Sequence, residues 1–180
     1  MEKAIILIDG GYLHKVLKRS YNSVKIDYNK FSGVICTELD LERLRTYYYT
    51  SMPIQRKNNP EDEKRYSGIQ RFLSNLRRLP RFEVKLGKLQ LIGGQFRQKM
   101  VDVLISIDII KKSYGGEIKH IILIAGDADF VPAIKTAKDE DVIIHLFYHP
   151  SSVHNELLDE VDESYKISDE FINKIKNTNL

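Results

Sequence analysis

The chain has 180 residues, of which 42% are hydrophobic, and this suits one domain spanning residues 1–180 around a continuous core. Its single cysteine excludes an internal disulfide framework, and its first apolar run, Ala4 to Ile8, is too short for a signal-peptide core or a membrane span, so we expect a soluble cytoplasmic protein. The net charge of +3 permits a polyanionic partner without requiring one.

The first part of the chain predicts two strands separated by a helix. Ala4 to Ile8 is typical of a strand buried on both faces of a parallel sheet, and Tyr12 to Arg19 has helical apolar spacing. Between Asn22 and Leu41 the signals are mixed and predict a loop with at most short structure. Leu44 to Thr50 has the aromatic content of a strand. Its three tyrosines, Tyr47 to Tyr49, could pack in the core or form a stacking surface for bases.

The middle of the chain predicts a helix followed by a strand. Pro60 and the three acids after it indicate a helix start, and the helix continues to about Arg78 with one apolar face. Phe82 to Leu86 and Leu89 to Ile92 then have the pattern of strand segments, broken at Gly87.

The last part of the chain continues the alternation of helices and strands. Lys99 to Lys112 is apolar almost all round, which predicts a buried helix, and Ile118 to Ala125 is a second aliphatic strand. A helix, a strand and two C-terminal helices from about residue 152 follow: Val131 to Lys138, Val142 to Phe147, Val153 to Val161 and Asp169 to Ile175. Parallel strands need crossover connections, so the sequence predicts an α/β fold, a three-layer Rossmann-like sandwich with a mainly parallel sheet.

Acidic residues stand where the two most apolar strands end. Asp9 follows the first strand and Asp127 the second, and ligands of such sheets bind beyond the carboxyl ends of the strands, where the strand order reverses. Asp102 lies in the first turn of the apolar helix, and Asp129 is two residues beyond Asp127. We therefore expect these four carboxylates to meet. Asp108 points elsewhere on the helical wheel, with either a buried structural role or a supporting role behind the site.

Carboxylates gathered at one point repel each other, so a cation should lie among them. An oxygen-only ligand set suits Mg²⁺ or Mn²⁺, and these ions recruit phosphate oxygens and activate water for phosphodiester hydrolysis. Each acid also has a structural alternative. Asp9 could form a turn, Asp102 could complement its helix dipole, and Asp127 or Asp129 could cap the following helix.

Three stretches carry a family resemblance: IILIDGGYL from Ile5 to Leu13, KMVDVLISID from Lys99 to Asp108 and IAGDADFVPAI from Ile124 to Ile134. In sequence, order and separation they resemble the NYN domains of the LabA-like group, which belong to the PIN-like nuclease superfamily. The chain departs from the family at Gly11-Tyr12, where many relatives carry an asparagine.

The resemblance implies a fold, a site and an activity. The implied sheet has the strand order 3-2-1-4-5, and the implied activity is RNA processing or decay. Lys99 resembles a family lysine three residues before the helix aspartate, where it could hold a phosphate or pair with a carboxylate. The implied Mg²⁺ site is formed by Asp9, Asp102, Asp127 and Asp129.

Positive charge is concentrated between Arg43 and Lys99, which suggests a basic face or, alternatively, an ordinary solvated surface. Tyr12 or Tyr48 could add sequence-tolerant stacking on bases. Four cations in loops or at a helix start could line the approach of RNA to the acids: Arg56, Lys57, Arg97 and Lys99.

The sequence therefore favours a metal-dependent endoribonuclease acting on single-stranded or structured RNA. A phosphatase of the haloacid-dehalogenase type also places an aspartate after its first strand, but it typically has a second aspartate two residues later, where this chain has Gly11. A third hypothesis is a catalytically silent RNA-binding or regulatory module, against which the four intact acids argue. The RNA target and the oligomeric state, including a homo-oligomer, stay open.

Overall fold

The computed structural model describes residues 1–56, 58–92 and 95–177. For residues 89–92 and 95–99 it describes the backbone alone. Within these ranges seven strands form one sheet. The strands are β1 Lys3–Asp9, β2 Glu42–Ser51, β3 Phe82–Ile92, β4 Gln95–Lys99, β5 His120–Ile124, β6 Ile143–Tyr148 and β7 Glu163–Lys166. The α-helices are α1 Gly10–Ser20, α2 Tyr28–Glu38, α3 Pro60–Arg77, α4 Val101–Ser113, α5 Val131–Lys138, α6 Asn155–Glu160 and α7 Asp169–Ile175. Short 3₁₀ helices cover Ala128–Phe130 and Pro150–Ser152.

The strands are ordered β4-β3-β2-β1-β5-β6-β7 across the sheet. Every neighbouring pair is parallel except β3 and β4, which are antiparallel. Counting the parallel strands alone gives the order 3-2-1-4-5-6. The α/β fold and the expected order 3-2-1-4-5 are therefore confirmed, and the sheet has one further parallel strand at one edge and one antiparallel strand at the other.

Alternate residues of β1 enter two separate cores. Ile6 and Ile8 belong to the core that packs against α1, α2, α3 and α7, whereas Ile5 and Leu7 belong to the core beneath α4, α5 and α6. All four side chains are fully buried. Because both faces of the central strand are covered by helices, the strand consists of aliphatic residues without alternation, and the predicted three-layer sandwich is confirmed.

The predicted loop between Asn22 and Leu41 is wrong, because the region contains α2. Asp27 caps this helix by accepting hydrogen bonds from the backbone N–H groups of Asn29 and Lys30 at 2.9 and 3.0 Å. Phe31 and Ile35, one turn apart, are fully buried. The helix therefore follows from a cap and a short apolar stripe rather than from a long periodic pattern.

Two further expectations are corrected. The predicted break at Gly87 is absent, since β3 runs through it and Gly87 pairs with Ser51 of β2. The helix expected to be buried all round is buried on one side only: Val103 and Ile107 on α4 are each 52% exposed. An apolar composition alone does not show how many faces of a helix are covered.

The polar edge strand β7 has no counterpart among the predicted elements. It is only four residues long and pairs with β6, where Tyr165 stacks on Phe147 with ring centroids 4.9 Å apart.

The three tyrosines on β2, Tyr47 to Tyr49, are all buried, which confirms core packing rather than an open stacking surface. No helix within the described ranges combines the length and hydropathy that a membrane span requires.

Candidate active site

Asp9 and Asp127 lie at the carboxyl edge of the two central strands. β1 ends at Asp9 and is paired in parallel with β5, with Ile8 opposite Ile124, so Asp127 follows three residues beyond the paired end of β5. β1 is also paired with β2 on its other side, and the strand order reverses here. This is the switch point at which parallel sheets bind ligands.

Asp9 is both the end of β1 and the cap of α1. Its Oδ1 accepts a hydrogen bond from the backbone N–H of Tyr12 at 3.0 Å, so one carboxylate oxygen has a structural role as a helix cap, where the sequence suggested a turn. Burial raises the pKa of Asp9 to about 6, against the lowering effect of the Tyr12 hydrogen bond, and the charges of Asp102 and Asp127 raise it further. The carboxylate is thus held in a poorly solvated place beside other acids.

Asp127 also has a capping role. Its Oδ1 accepts a hydrogen bond from the backbone N–H of Asp129 at 3.1 Å at the start of the 3₁₀ helix, and both side chains are exposed. One carboxylate oxygen of Asp127 is engaged in this way. The cap fixes the orientation of the carboxylate while leaving its second oxygen available.

Asp102, in the first turn of α4, approaches the same place from another element. Together with Asp9 it lines a cavity of about 150 Å³, the side cavity, whose other lining residues are Gly11, Tyr12 and Val101. Burial raises the pKa of Asp102, and the charges of Asp127 and Asp129 raise it further. The four acids therefore act on one another electrostatically, as expected for carboxylates that share one edge of the sheet.

A larger cavity, of about 440 Å³, combines acids with cations, and we call it the acidic cavity. Asp9 and Asp127 line it together with Lys15 and Arg19 of α1. The remaining lining residues come mainly from the loop after β6 and include Ser151, Ser152 and His154. Lys15, Arg19 and His154 were not expected here. The spacing of Lys15 and Arg19 by one helical turn, directly after the first aspartate, was a signal that could have identified them.

Close packing holds this loop against the end of β5. The carbonyl of Gly126 accepts a hydrogen bond from the backbone N–H of His154 at 2.9 Å. A Cβ at Gly126 would lie 2.2 Å from the carbonyl oxygen of Ser152 and 2.4 Å from Cε2 of Tyr12, so only glycine fits. The backbone N–H of His149 donates to the hydroxyl of Tyr12 at 2.9 Å. Tyr12 is therefore a largely buried wall of both cavities rather than an open stacking surface.

The basic residues expected near the acids are only partly accounted for. Arg56 forms an ion pair with Asp62 at 2.7 Å and lines neither of the two cavities, so its charge is already neutralised. Lys57 lies outside the described residues, and so do the side chains of Arg97 and Lys99, whose backbones belong to β4. Among the cations whose side chains the structure describes, Lys15 and Arg19 of α1 line the acidic cavity.

Asp108 has structural partners. It is buried on α4 and accepts hydrogen bonds from the hydroxyl of Tyr49 and from Nζ of Lys85, each at 2.5 Å. Burial raises the pKa of Tyr49, and its bond to Asp108 raises it further, so the phenol stays protonated and donates. These contacts join α4 to β2 and β3 beneath the site.

The acids suit a hard divalent cation that is only partly held by protein. Across the part of the chain that the structure describes, no three His, Cys, Asp or Glu side chains are arranged to hold a metal ion by themselves. Mg²⁺, however, typically keeps several waters and uses one or two carboxylates together with substrate phosphates. Asp9 and Asp102 on one cavity provide such a pair. Burial, and to a smaller degree the charges of neighbouring acids, raises the pKa of both carboxyl groups, and a cation between them would offset that repulsion.

Comparisons with known proteins agree with this architecture. A family model described as "NYN domain" matches residues 3–168. A solved structure of a protein of unknown function from Vibrio parahaemolyticus is 24% identical, covers 94% of this chain and 95% of its own, and superposes with a TM-score of 0.67, which shows a shared fold. Shikimate dehydrogenase from Aquifex aeolicus, at 14% identity over 97% of this chain and 66% of its own, has a TM-score of 0.24, too low to support an inference. No curated protein sequence matches the chain.

Proposed function

The chain belongs to the NYN domain family, and from this premise we propose that it hydrolyses RNA phosphodiester bonds as a metal-dependent endoribonuclease. The observation that carries the proposal is the acidic cavity, in which Asp9 and Asp127 share one space with Lys15 and Arg19. Carboxylates alone would repel a nucleic acid, and cations alone would only bind it. The combination suits a phosphate that is both held and attacked.

Asp9 and Asp102, which line one cavity, would bind the ion, Mg²⁺ or Mn²⁺, directly, and Asp127 and Asp129, whose charges act on Asp102, would complete the acidic cluster around it. When bound, a divalent ion neutralises the aspartates and supplies Lewis-acid activation at the scissile phosphate. The capping bonds of Asp9 and Asp127 hold one oxygen of each carboxylate in place, so the other oxygen is oriented before substrate arrives.

The cations of α1 position the substrate. Lys15 and Arg19 are exposed, and neither has an ion-pair partner among the described residues, so their charges are available to phosphate oxygens. Arg19 can bind two oxygens through its guanidinium, and Lys15 acts as a point charge.

His154 is the imidazole that lines the acidic cavity, and its backbone is fixed to Gly126. As a residue that lines this cavity, it can donate a hydrogen bond or a proton to the leaving oxygen.

A second candidate is a module that binds RNA without cutting it. It is favoured by the finding that no three described acids are arranged to hold a metal by themselves. In that case the basic residues of α1 would act alone, and binding would not depend on a divalent ion.

Incubation of the purified protein with end-labelled single-stranded RNA, structured RNA and single-stranded DNA, with Mn²⁺ or with EDTA, separates the two candidates. We expect Mn²⁺-dependent internal cleavage of RNA that is abolished by Asp9→Asn and Asp127→Asn. Asp139→Asn is the matched control, because Asp139 is an exposed aspartate at the end of α5. RNA that stays intact in Mn²⁺ but is still bound would identify the silent module.

A further inference from the structure

A second cavity borders α1, and we call it the aromatic cavity. It has a volume of about 680 Å³ and lies between α1 and α3. His14, Leu17 and Lys18 line it from α1, while Lys15 and Arg19 of the same helix line the acidic cavity. One helix, roughly 10 Å across with its side chains, therefore borders both spaces.

Three aromatic rings form the inner wall of the aromatic cavity. The ring centroids of Tyr28 and Tyr48 are 5.5 Å apart, those of Tyr28 and Phe72 are 5.5 Å apart, and those of Tyr48 and Phe72 are 5.7 Å apart. Tyr28 and Phe72 are only partly buried, as is the neighbouring lining residue Ile69. Partly open aromatic rings with apolar neighbours are the surface on which an unpaired base stacks.

The helix between the two cavities carries basic side chains, of which His14 and Lys18 line the aromatic cavity and Lys15 and Arg19 the acidic cavity; one acid, Asp27, also lines the aromatic cavity. His14, Lys15, Lys18 and Arg19 are all exposed on α1, and the helix has no acidic residue. Basic groups one turn apart destabilise a helix slightly. Among the described residues none of these four side chains has an acid within ion-pair distance. Such an uncompensated stripe is complementary to a polyanion that lies across the helix.

Tyr48 connects the aromatic cavity to the catalytic edge. A Cβ placed on Gly10 would lie 2.5 Å from Cζ of Tyr48 and 2.6 Å from its hydroxyl oxygen. The ring therefore lies directly against the backbone that follows Asp9. A base stacked on the partly open rings of Tyr28 and Phe72, which pack against the buried ring of Tyr48, is consequently only a short distance from the acids.

Building on the proposed nuclease function, we propose that the aromatic cavity receives an unpaired base of the RNA strand that is cut. The phosphates next to this base cross the basic stripe of α1, and the strand continues into the acidic cavity. The substrate is then single-stranded RNA, or RNA with an unpaired stretch beside the cleavage point, because a base within a double helix cannot enter the aromatic cavity.

Gly68 of α3 offers a direct test. It lines the aromatic cavity, and a Cβ there meets no atom within 4 Å, so a large side chain can be introduced without a clash at its root. Gly68→Trp fills the aromatic cavity, and Gly68→Ala leaves it open. Gly33→Trp is the matched control, because Gly33 is also a helical glycine with an unobstructed Cβ but lines a different groove, with Asn29 and Lys174. All three changes improve helix propensity, so the variants should fold.

Binding is measured with short single-stranded RNAs that carry the fluorescent adenine analogue aminopurine at successive positions, with Ca²⁺ in place of Mg²⁺ so that cleavage does not interfere. For the parent protein we expect emission to be quenched at one position of the strand. Gly68→Trp should abolish this quenching and weaken affinity by about tenfold, as for the loss of one stacked base. Gly68→Ala and Gly33→Trp should behave as the parent does.

The outcomes separate this inference from the function on which it rests. If Gly68→Trp binds and quenches as the parent does, the aromatic cavity is not the base site, and nuclease activity is unaffected by that result. If none of the proteins binds RNA, both the base site and the RNA substrate are wrong. Quenching that is lost in Gly33→Trp as well would also overturn the assignment of the base to this cavity.

Discussion

The backbone N–H of Tyr12 donates a hydrogen bond to Oδ1 of Asp9 at 3.0 Å, and this contact caps α1. Asparagine has the same side-chain oxygen and caps helices equally well. Asp9→Asn therefore removes the charge of the carboxylate while retaining the cap, so its effects can be attributed to the charge.

We predict that Asp9→Asn stabilises the metal-free protein at neutral pH by about 3 kcal/mol. The pKa of Asp9 is raised from 3.8 to about 6, so the folded wild type becomes less stable as pH rises from about 4 through about 6. The difference between variant and wild type should therefore be absent near pH 4 and complete above about pH 7. Denaturant unfolding in EDTA across this range measures it, and a constant difference at every pH would contradict the argument.

Divalent ions should raise the melting temperature of the wild type. An ion that binds only the folded state stabilises it by about 2.7 kcal/mol at a free concentration a hundred times its Kd. We expect this gain with Mn²⁺ and with Mg²⁺, and we expect Asp102→Ala to lose it. Asp139→Ala should respond as the wild type does. A melting curve that does not change over a millimolar Mn²⁺ titration would refute the metal site.

Replacing Lys15 and Arg19 together by glutamine should weaken RNA binding and reduce its dependence on salt. Each phosphate contact contributes a slope of roughly −0.7 in log affinity against log salt for single strands, so the slope should change by roughly one to two units. Fluorescence anisotropy with Asp127→Asn as the parent measures the slope. The control replaces Lys3 and Lys111, two exposed lysines elsewhere on the molecule, and should keep the parent slope.

Lys85→Met should destabilise the fold by about 2–3 kcal/mol, because the buried carboxylate of Asp108 loses its cationic partner and keeps only Tyr49. Lys88→Met is the matched control, since Lys88 is an exposed lysine on the same strand. Chemical denaturation of both variants gives the comparison. Equal losses in the two would mean that the ion pair with Asp108 has no special weight.

Gly126→Ala should be destabilising by roughly 1–3 kcal/mol and should also reduce cleavage. The new Cβ would collide with the backbone carbonyl of Ser152, which cannot move aside as a flexible side chain could. His154, which lines the acidic cavity, belongs to the same loop. A displacement of the loop would therefore disturb the site as well. Gly33→Ala, at an unobstructed helical position, should instead leave stability unchanged or raise it by up to about 1 kcal/mol.

The sequence alone predicts most of the sheet because β1 and β5 are aliphatic on both faces, a pattern that parallel strands between two helix layers require. The positions of Asp9 and Asp127 at its carboxyl edge follow from that pattern. α2 could also have been predicted, because Asp27 is a capping residue and Phe31 and Ile35 are one turn apart.

Other features depend on contacts that the sequence does not display. The pairing of Arg56 with Asp62 requires the chain before α3 to fold back on the start of the helix. The position of His154 depends on the loop after β6 packing against Gly126. The exposure of Val103 and Ile107 depends on how many elements cover α4, which its composition does not state.

The shortness of β7 has a consequence for the behaviour of the protein at high concentration. An edge strand presents unpaired amide groups that can template a strand from another molecule. β7 extends only from Glu163 to Lys166 and has an exposed charged residue at each end. Such an edge gives an incoming strand few amide groups to pair with, and its charges disfavour close approach, so this edge should resist the edge-to-edge aggregation to which open sheets are prone.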